Sequence, residues 1–520
     1  MAKILFIHPI ADSTFGRQSI PIALTSTLLR NEGHQYDIFD TTFLNTEQII
    51  SKHAQYGEVK QTELKMFQKY DKSELGFTRK KTDIFKELQN KIDNFKPDVI
   101  TFSLWGSHLH AEGEYFAYIN GLKLIEGVNT RGIKIITGGT IPSANPKKIL
   151  SNSKIDFVIK GESELVYKDI MEKVQKNEDL KSIKNLNYID ENKNFIENPM
   201  RELIDPLDQL PDVSFDIFDP RTFKRPYHGK IKKMIDYELS RGCWYRCTFC
   251  LSPFQRETTY GKPKNFRREK SIPKIIREIK KLKNRYNLDM IRYQDESFNS
   301  ISEDKLKDLS NDYKKYVDLP FIIEATVNTT TENKIKYLKQ MGCVNVGFGI
   351  ESGSQFVRDK IIIKPKFTND DAVKKIHLLK KNGISVTSYN IMGFPNETEE
   401  HIIDTLILNN KSKPTHATVC YFQPWEGTSL KKTAIKDGFL DENIEISQMT
   451  EGQQTVTPLN LRIEKNILEH YHDYFSHYVY LNRWLWPLIK FCSKKNILSK
   501  ITKNFLDFIL TKNQKFYRKH

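Results

Sequence analysis

Ser240-Arg241-Gly242-Cys243-Trp244-Tyr245-Arg246-Cys247-Thr248-Phe249-Cys250 decides the reading of this chain. Three of its six cysteines fall within eight consecutive positions, spaced Cys-x3-Cys-x2-Cys. The stretch follows directly on 235–239, which reads as a strand. Thiolates at this spacing can curl around one cluster. Three of them satisfy three irons of a 4Fe–4S cubane and leave the fourth open to a substrate or cofactor, unlike a fully ligated four-cysteine cluster. A structural zinc site is the competing reading. Zinc takes four tetrahedral ligands, usually from two paired elements. No second pair is visible here and the nearest upstream histidine is His228, so the ligand count favours the cluster. Cys343, Cys420 and Cys492 stand alone, and the first two sit in or beside strand-like runs, as small buried hydrophobes do. Six cysteines in 520 residues make no disulfide framework and point to a reducing compartment.

Outward from this stretch the chain alternates. Strands are expected at 235–239, 290–294, 321–326, 344–349, 385–392 and 417–422. Helices are expected at 273–286, 302–316, 332–341, 370–382 and 399–410. Six strands with helices between them predict a partial (β/α)6 barrel over 231–440, with its chemistry at the strand C-termini. An earlier alternating series has strands at 4–8, 36–39, 98–104, 133–137 and 155–160, with helices at 21–30 and 111–126. It predicts a doubly wound, Rossmann-like parallel sheet over 1–175, so the fold class is α/β. Ligands of such sheets sit beyond the strand C-termini, which here carry His8, Ser103, Gly138-Gly139 and Gly161-Glu162. Residues 47–95 are charged and read as a mostly helical insertion. Residues 176–230, rich in Asp, Asn and Pro, read as a surface connector. In 441–520, apolar residues recur at helical spacing from Ile463 to Leu481; the dense run Trp484–Ile489 and a Lys-rich tail follow. This last segment is expected to be a helical cap on the barrel, or else a basic, aromatic surface that touches a membrane or a large acidic partner.

The cysteine stretch resembles the signature of the radical S-adenosylmethionine enzymes, which place Cys-x3-Cys-x-aromatic-Cys after the first strand of a partial barrel. The resemblance extends further. Tyr293-Gln294-Asp295-Glu296-Ser297-Phe298 matches a second-strand end where the family keeps acidic residues near the S-adenosylmethionine amine. Gly347–Ser354 looks like the family's GIESGS stretch, Ile391–Thr398 like its GLPGET stretch, and Gln423–Thr428 like the P-x-x-GT that closes the barrel. The resemblance implies a cluster on Cys243, Cys247 and Cys250, and Phe249 against the adenine. It also implies S-adenosylmethionine contacts among Asp295, Glu296, Glu351, Ser352 and Gly393. Bottom-up, Gly393, Pro395 and Gly427 serve equally as turn formers, and Glu296 or Glu351 could as readily pair with a lysine.

The first domain resembles the cobalamin-binding domain that precedes the barrel in the cobalamin-dependent branch of that family. The matching residues are Thr137-Gly138-Gly139-Thr140-Ile141-Pro142 and 155–164, against GGPH…P…DFVVRGEGE. The implied cobalamin contacts are Ser103, Trp105, Gly138, Gly139, Pro142, Gly161 and Glu162. The histidine of the D-x-H-x-x-G motif is missing from Asp12-Ser13-Thr14-Phe15-Gly16. The expectation is therefore a cobalt without protein histidine ligation, its lower face covered by Trp105 or a neighbour in 103–110, with His8, His108 and His110 as fallback ligands.

By resemblance, a 5′-deoxyadenosyl radical removes a hydrogen from an unactivated carbon of a small-molecule substrate. Methylcobalamin then supplies a methyl group, and a donor such as flavodoxin or ferredoxin supplies electrons. Cyclisation and rearrangement are other outcomes in the family. A radical enzyme methylthiolating RNA is disfavoured, because residues 1–242 hold no cysteine for a second cluster. A basic RNA- or membrane-binding protein with a zinc site is the reading from another class. The net charge of +16 invites it, but lysine is spread along the whole chain, which disfavours nucleic acid as a partner. Met1–Ile7 enters a strand-like run without a secretory pattern, and no apolar run is long enough to span a bilayer, so the expected location is the cytoplasm.

Overall fold

The computed structural model describes residues 1–9, 17–49, 64–104, 111–444, 457–494 and 496–519. Strands β1 (Lys3–His8), β2 (Gln35–Asp40), β3 (Val99–Phe102), β4 (Lys134–Thr137) and β5 (Phe157–Ile159) form a parallel sheet in the order β2-β1-β3-β4-β5. β1, β3, β4 and β5 are almost wholly apolar and buried, as strands covered on both faces must be. The chain leaves β1 towards β2 and returns to β3 on the other side. That reversal opens a crevice at the C-terminal ends of β1 and β3.

Residues 176–230 are not only a surface connector, as the sequence suggested: much of the segment is exposed, but part of it enters the sheet and the core. β6 (Leu186–Ile189) and β7 (Phe195–Glu197) extend the first sheet as an antiparallel hairpin beyond β5. Ile204, Leu207, Leu210, Val213, Phe215 and Phe218 are then buried in one core shared with both domains. From 204 to 213 they recur every third residue, a spacing that matches neither an α-helix nor a strand, and the regular element under it is the 3-10 turn Leu207–Gln209. The insertion also differs from expectation. Among its described residues the one α-helix is Ile84–Phe95, started by Asp83, whose carboxylate accepts from Phe85 N at 3.0 Å and Lys86 N at 3.3 Å.

The second sheet runs β8 (Lys224–Tyr227), β9 (Lys230–Tyr237), β12 (Met290–Tyr293), β13 (Phe321–Ala325), β14 (Cys343–Glu351), β15 (Ser385–Met392) and β16 (His416–Tyr421). Its last six strands are parallel and form the partial barrel; β8 is an antiparallel edge. The short β10 (Ser240–Arg241) and β11 (Arg268–Glu269) pair with each other at the mouth. The helices Ile272–Tyr286, Glu303–Tyr316, Glu332–Met341 and Asn369–Lys381 each start on a Ser or Thr whose hydroxyl accepts the third backbone N–H.

The C-terminal helices Lys465–Asp473, Phe475–Tyr480, Trp486–Phe491 and Ile497–Lys519 pack around β16 and the helix Glu399–Ser412. Asn410 fixes the contact by donating to the carbonyls of Tyr478 (2.8 Å) and Leu481 (2.8 Å). Among the described residues no helix is long and apolar enough to cross a membrane.

Candidate active site at the barrel mouth

The cysteine loop is held from four directions. Below it, Asp295 at the end of β12 accepts from Leu239 N (3.2 Å), Ser240 N (2.6 Å) and Ser240 Oγ, fixing the exit of β9. Gly242 makes the turn at φ +90°, and a Cβ there would lie 2.3 Å from the Phe266 carbonyl oxygen. Thr248 donates its N–H to Ile362 O (2.9 Å) and its hydroxyl to Ile361 O (2.7 Å), and accepts from Leu430 N (2.9 Å). Cys250 caps the helix Leu251–Phe254, where Ser252 N donates to its sulfur at 3.5 Å. Gly242→Ala is therefore expected to cost at least ~2 kcal/mol from the strained φ and the carbonyl overlap, and to lower iron retained on reconstitution. An unchanged melting temperature and iron content would show that the turn tolerates a side chain.

The three thiols sit close enough to raise one another's pKa. Burial is the larger cause and pushes Cys243 up to about 12; Cys247 and Cys250 move the same way. The cations of Lys364, near Cys247, and Arg267, near Cys243, work in the opposite direction. Buried, partly compensated thiols of this kind are held as thiolates when a metal centre binds them. Among the described residues no three His, Cys, Asp or Glu side chains converge as the ligands of a single ion would. Lys364 and Arg267 escaped the sequence reading, since a single lysine or arginine carries no signal in so basic a chain.

The other expected residues divide. Glu296 lies near Cys243 and Cys250, and burial raises its pKa to about 7. Glu351 ends β14 at φ +60° and pairs with Lys364 Nζ at 2.8 Å, the lysine partnership that the sequence left open. Phe249 packs 6.2 Å from Phe394, which lies 5.4 Å from Phe422, so an aromatic shelf joins the cysteine loop to the ends of β15 and β16. Asp295 and Ser352 are engaged by the protein itself. The Ser352 hydroxyl meets Thr405 Oγ1 at 3.3 Å and accepts from Ser354 N at 3.2 Å. Gly393 (φ +83°) and Phe394 donate their N–H groups to Glu397 at 2.6 and 3.2 Å. Inside the barrel, Arg292 (3.5 Å) and the Tyr389 hydroxyl (3.1 Å) meet Glu324, a polar group that the sequence reading missed. Charged residues inside otherwise apolar strands were the available signal.

Glu397 carries a pH prediction. It is 4% exposed, its Oε1 has no hydrogen-bond partner, and burial raises its pKa to about 8 against the two backbone N–H bonds. The folded state thus holds a proton that the unfolded state releases near pH 4.5. Its contribution is fully present below that pH and is lost as pH rises through about 8. Glu397→Gln is expected to flatten the fall in melting temperature across this window, a term on the order of 4 kcal/mol between the limits. Parallel pH profiles for the two proteins would refute the assignment.

In the first domain, Ser103 follows β3 at φ +65°, is 1% exposed, and its hydroxyl has no hydrogen-bond partner among the described residues. Gly139, after β4, has φ +96°, and its carbonyl accepts from Ser143, in the buried turn that contains Pro142. An orphaned hydroxyl beside two side-chain-free positions at the strand ends fits a large, polar-edged ligand. Trp105, His108 and His110 lie outside the described residues, as does the loop 12–16. His8 is buried, its Nε2 2.9 Å from Arg17 O and its ring against Phe218.

Gly161 and Glu162 face the barrel. A Cβ on Gly161 would overlap the Tyr260 hydroxyl, to which Glu162 N donates at 2.6 Å. The Glu162 carboxylate pairs with Arg268 at 2.8 Å and Arg241 at 3.5 Å. Burial opposes its charge, and the two guanidiniums outweigh burial to hold its pKa below the usual range. Arg241, two residues before Cys243, also pairs with Glu164 (2.5 Å) and Glu238 (2.7 Å). Leu251, next to Cys250, is buried in the first domain's core, and Gln255 donates to Thr140 Oγ1 at 3.3 Å beside Gly139. The cysteine loop and the glycine edge are thereby locked together.

Residues 237–408 match the model of the Radical SAM superfamily. The barrel is a radical S-adenosylmethionine domain, and the cluster and S-adenosylmethionine expected from the cysteine loop are the cofactors of that superfamily. The chain is 28% identical over 361 residues to an uncharacterised methyltransferase of Pyrococcus horikoshii, covering 68% of this chain and 73% of the relative. It is 22% identical over 436 residues to an anaerobic magnesium-protoporphyrin IX monomethyl ester cyclase of Rubrivivax gelatinosus, covering 81% and 73%. Its fold is similar to that of OxsB, a cobalamin-dependent S-adenosylmethionine radical enzyme solved with aqua-cobalamin and S-adenosylmethionine, with a TM-score of 0.61 and 14% identity over 100% of this chain and 72% of that one.

Proposed function

We propose that this chain, with its radical S-adenosylmethionine domain at 237–408, is a cobalamin-dependent radical enzyme that methylates an unactivated carbon of a small molecule. The observation that carries the reading is the lock between the cysteine loop and the Gly138-Gly139 edge, through Leu251, Gln255 and Arg241. It supports a reading in which two cofactor sites share one interdomain space, and such positioning is the protein's share of the work. Cys243, Cys247 and Cys250 would hold the cluster, and Ser103, Gly138, Gly139 and Pro142 would line the cobalamin site. When bound, the groups supply reductive cleavage of S-adenosylmethionine and a transferable methyl.

The chain's own residues orient and exclude. Phe249 offers an aromatic face for an adenine, and Glu296 and the Glu351–Lys364 pair offer polar contacts to an amine or ribose. The Arg292–Glu324–Tyr389 group, deeper in the barrel, offers a hydrogen-bonding wall to a substrate. Asp295, Ser352, Gly161 and Glu162 position these groups rather than touch them. Flavodoxin or ferredoxin fits the need for single electrons.

The test is anaerobic reconstitution with iron, sulfide and hydroxocobalamin, then metal analysis and the visible spectrum. About four irons and a retained corrin band per chain are expected. Iron without corrin would remove the methyl-transfer reading, and zinc without iron would sink the whole proposal. The resemblance to a cyclase supports a second reading, oxidative ring closure. Transfer of an isotopically labelled methyl group from S-adenosylmethionine to product would distinguish the two.

A further inference from the structure

The C-terminal helix Ile497–Lys519 is apolar on two sides. One side is buried, with Leu506 and Leu510 fully enclosed and Ser499 and Gln514 beside them. Ile497, Leu498, Ile501, Phe505, Phe508 and Phe516 recur at helical spacing on the opposite side, and each is between 54% and 78% exposed. A surface helix ordinarily needs a single apolar stripe, to face the core. Just before it, Trp484 is 72% exposed and Leu488 is 40% exposed. Exposed apolar residues gathered in this way mark a contact surface.

Charge identifies the partner. Residues 483–519 hold ten lysines and arginines against one carboxylate, Asp507, although the whole chain is only +16. Asp507 is itself taken by Lys65 and His477, each at 2.9 Å. Lys512 Nζ lies over the Phe508 ring, 4.4 Å from its centre, so a cation sits directly against this apolar face. A second copy of the chain would bring two such cationic faces together, which charge opposes. A nucleic acid would meet the lysines but has no use for exposed Ile497, Leu498 and Ile501. We propose that this face docks on an anionic lipid surface, the helix lying in the membrane plane with its phenylalanines in the acyl boundary.

The experiment is flotation of the full chain with vesicles of phosphatidylcholine containing about a third phosphatidylglycerol. The chain should float with them, at least ~tenfold more weakly with phosphatidylcholine alone, and less as salt rises. The F505E/F508E variant should lose at least ~tenfold of the binding while its melting temperature stays within about 2 °C, since both side chains are exposed. Failure to float with anionic vesicles, or equal flotation of the variant, would overturn the proposal. So would a concentration-dependent dimer abolished by the same substitutions, which would make the face a self-association surface.

Discussion

Replacing Cys243, Cys247 and Cys250 together by alanine is expected to bring the iron of the reconstituted protein from about four per chain to essentially none, with the corrin band retained. The separation follows from the architecture. The thiols sit on a loop of the barrel, whereas Ser103 and Gly138-Gly139 end strands of the other sheet. The loop's anchors survive the substitution, because Asp295, Thr248 and Arg241 hold it through groups other than sulfur. The sulfurs add little to that hold: Ser252 N donates to Cys250 at a long 3.5 Å, and the Tyr245 backbone N–H donates to Cys243. Fold and melting temperature should therefore change little. Iron remaining in the triple variant would place the cluster elsewhere; loss of both cofactors would mean that the cluster is needed to build the interdomain space.

Arg241→Ala should have the largest effect on stability. The guanidinium is 13% exposed and is the common partner of Glu162, Glu164 and Glu238. Its loss strands Glu164 and Glu238, while Glu162 keeps Arg268. Removing one member of a buried charge cluster typically costs about 3–5 kcal/mol, because the remaining charges stay desolvated. For a chain of this size, whose unfolding entropy is about 1 kcal/mol per degree, that is a fall in melting temperature of about 3–5 °C. Because the bridge also joins the first domain to the strand before Cys243, corrin retention should fall with it. A variant that melts within about 2 °C of the parent and keeps its corrin would show that the cluster neither stabilises nor aligns the domains.

Most of the architecture was legible because its signals are local. The strands of the partial barrel and the five parallel strands of the first sheet show as short β-rich runs between helices and turn residues. The cysteine spacing speaks for itself. What escaped depends on contacts distant in sequence. β6 and β7 are short, and the last is half-exposed, so neither run stands out. The buried residues of 204–218 mostly recur every third position, a spacing that marks neither an α-helix nor a strand. Glu162 matched a motif, yet only the structure shows its carboxylate meeting arginines about a hundred positions away. Ser352 likewise matched, and its hydroxyl is spent on Thr405 and Ser354.

The shared core of 204–218 bears on how the molecule comes apart. Its side chains belong to the same continuous apolar cluster as Ile4 and Phe6 of the first sheet and Ile279 and Ile291 of the barrel. Neither domain can expose that cluster without uncovering the other's share. The two-domain chain should thus lose its structure in one cooperative step, with a single heat-absorption peak whose calorimetric and van't Hoff enthalpies agree. A barrel severed from its first 230 residues would be an open half of one core rather than a smaller enzyme.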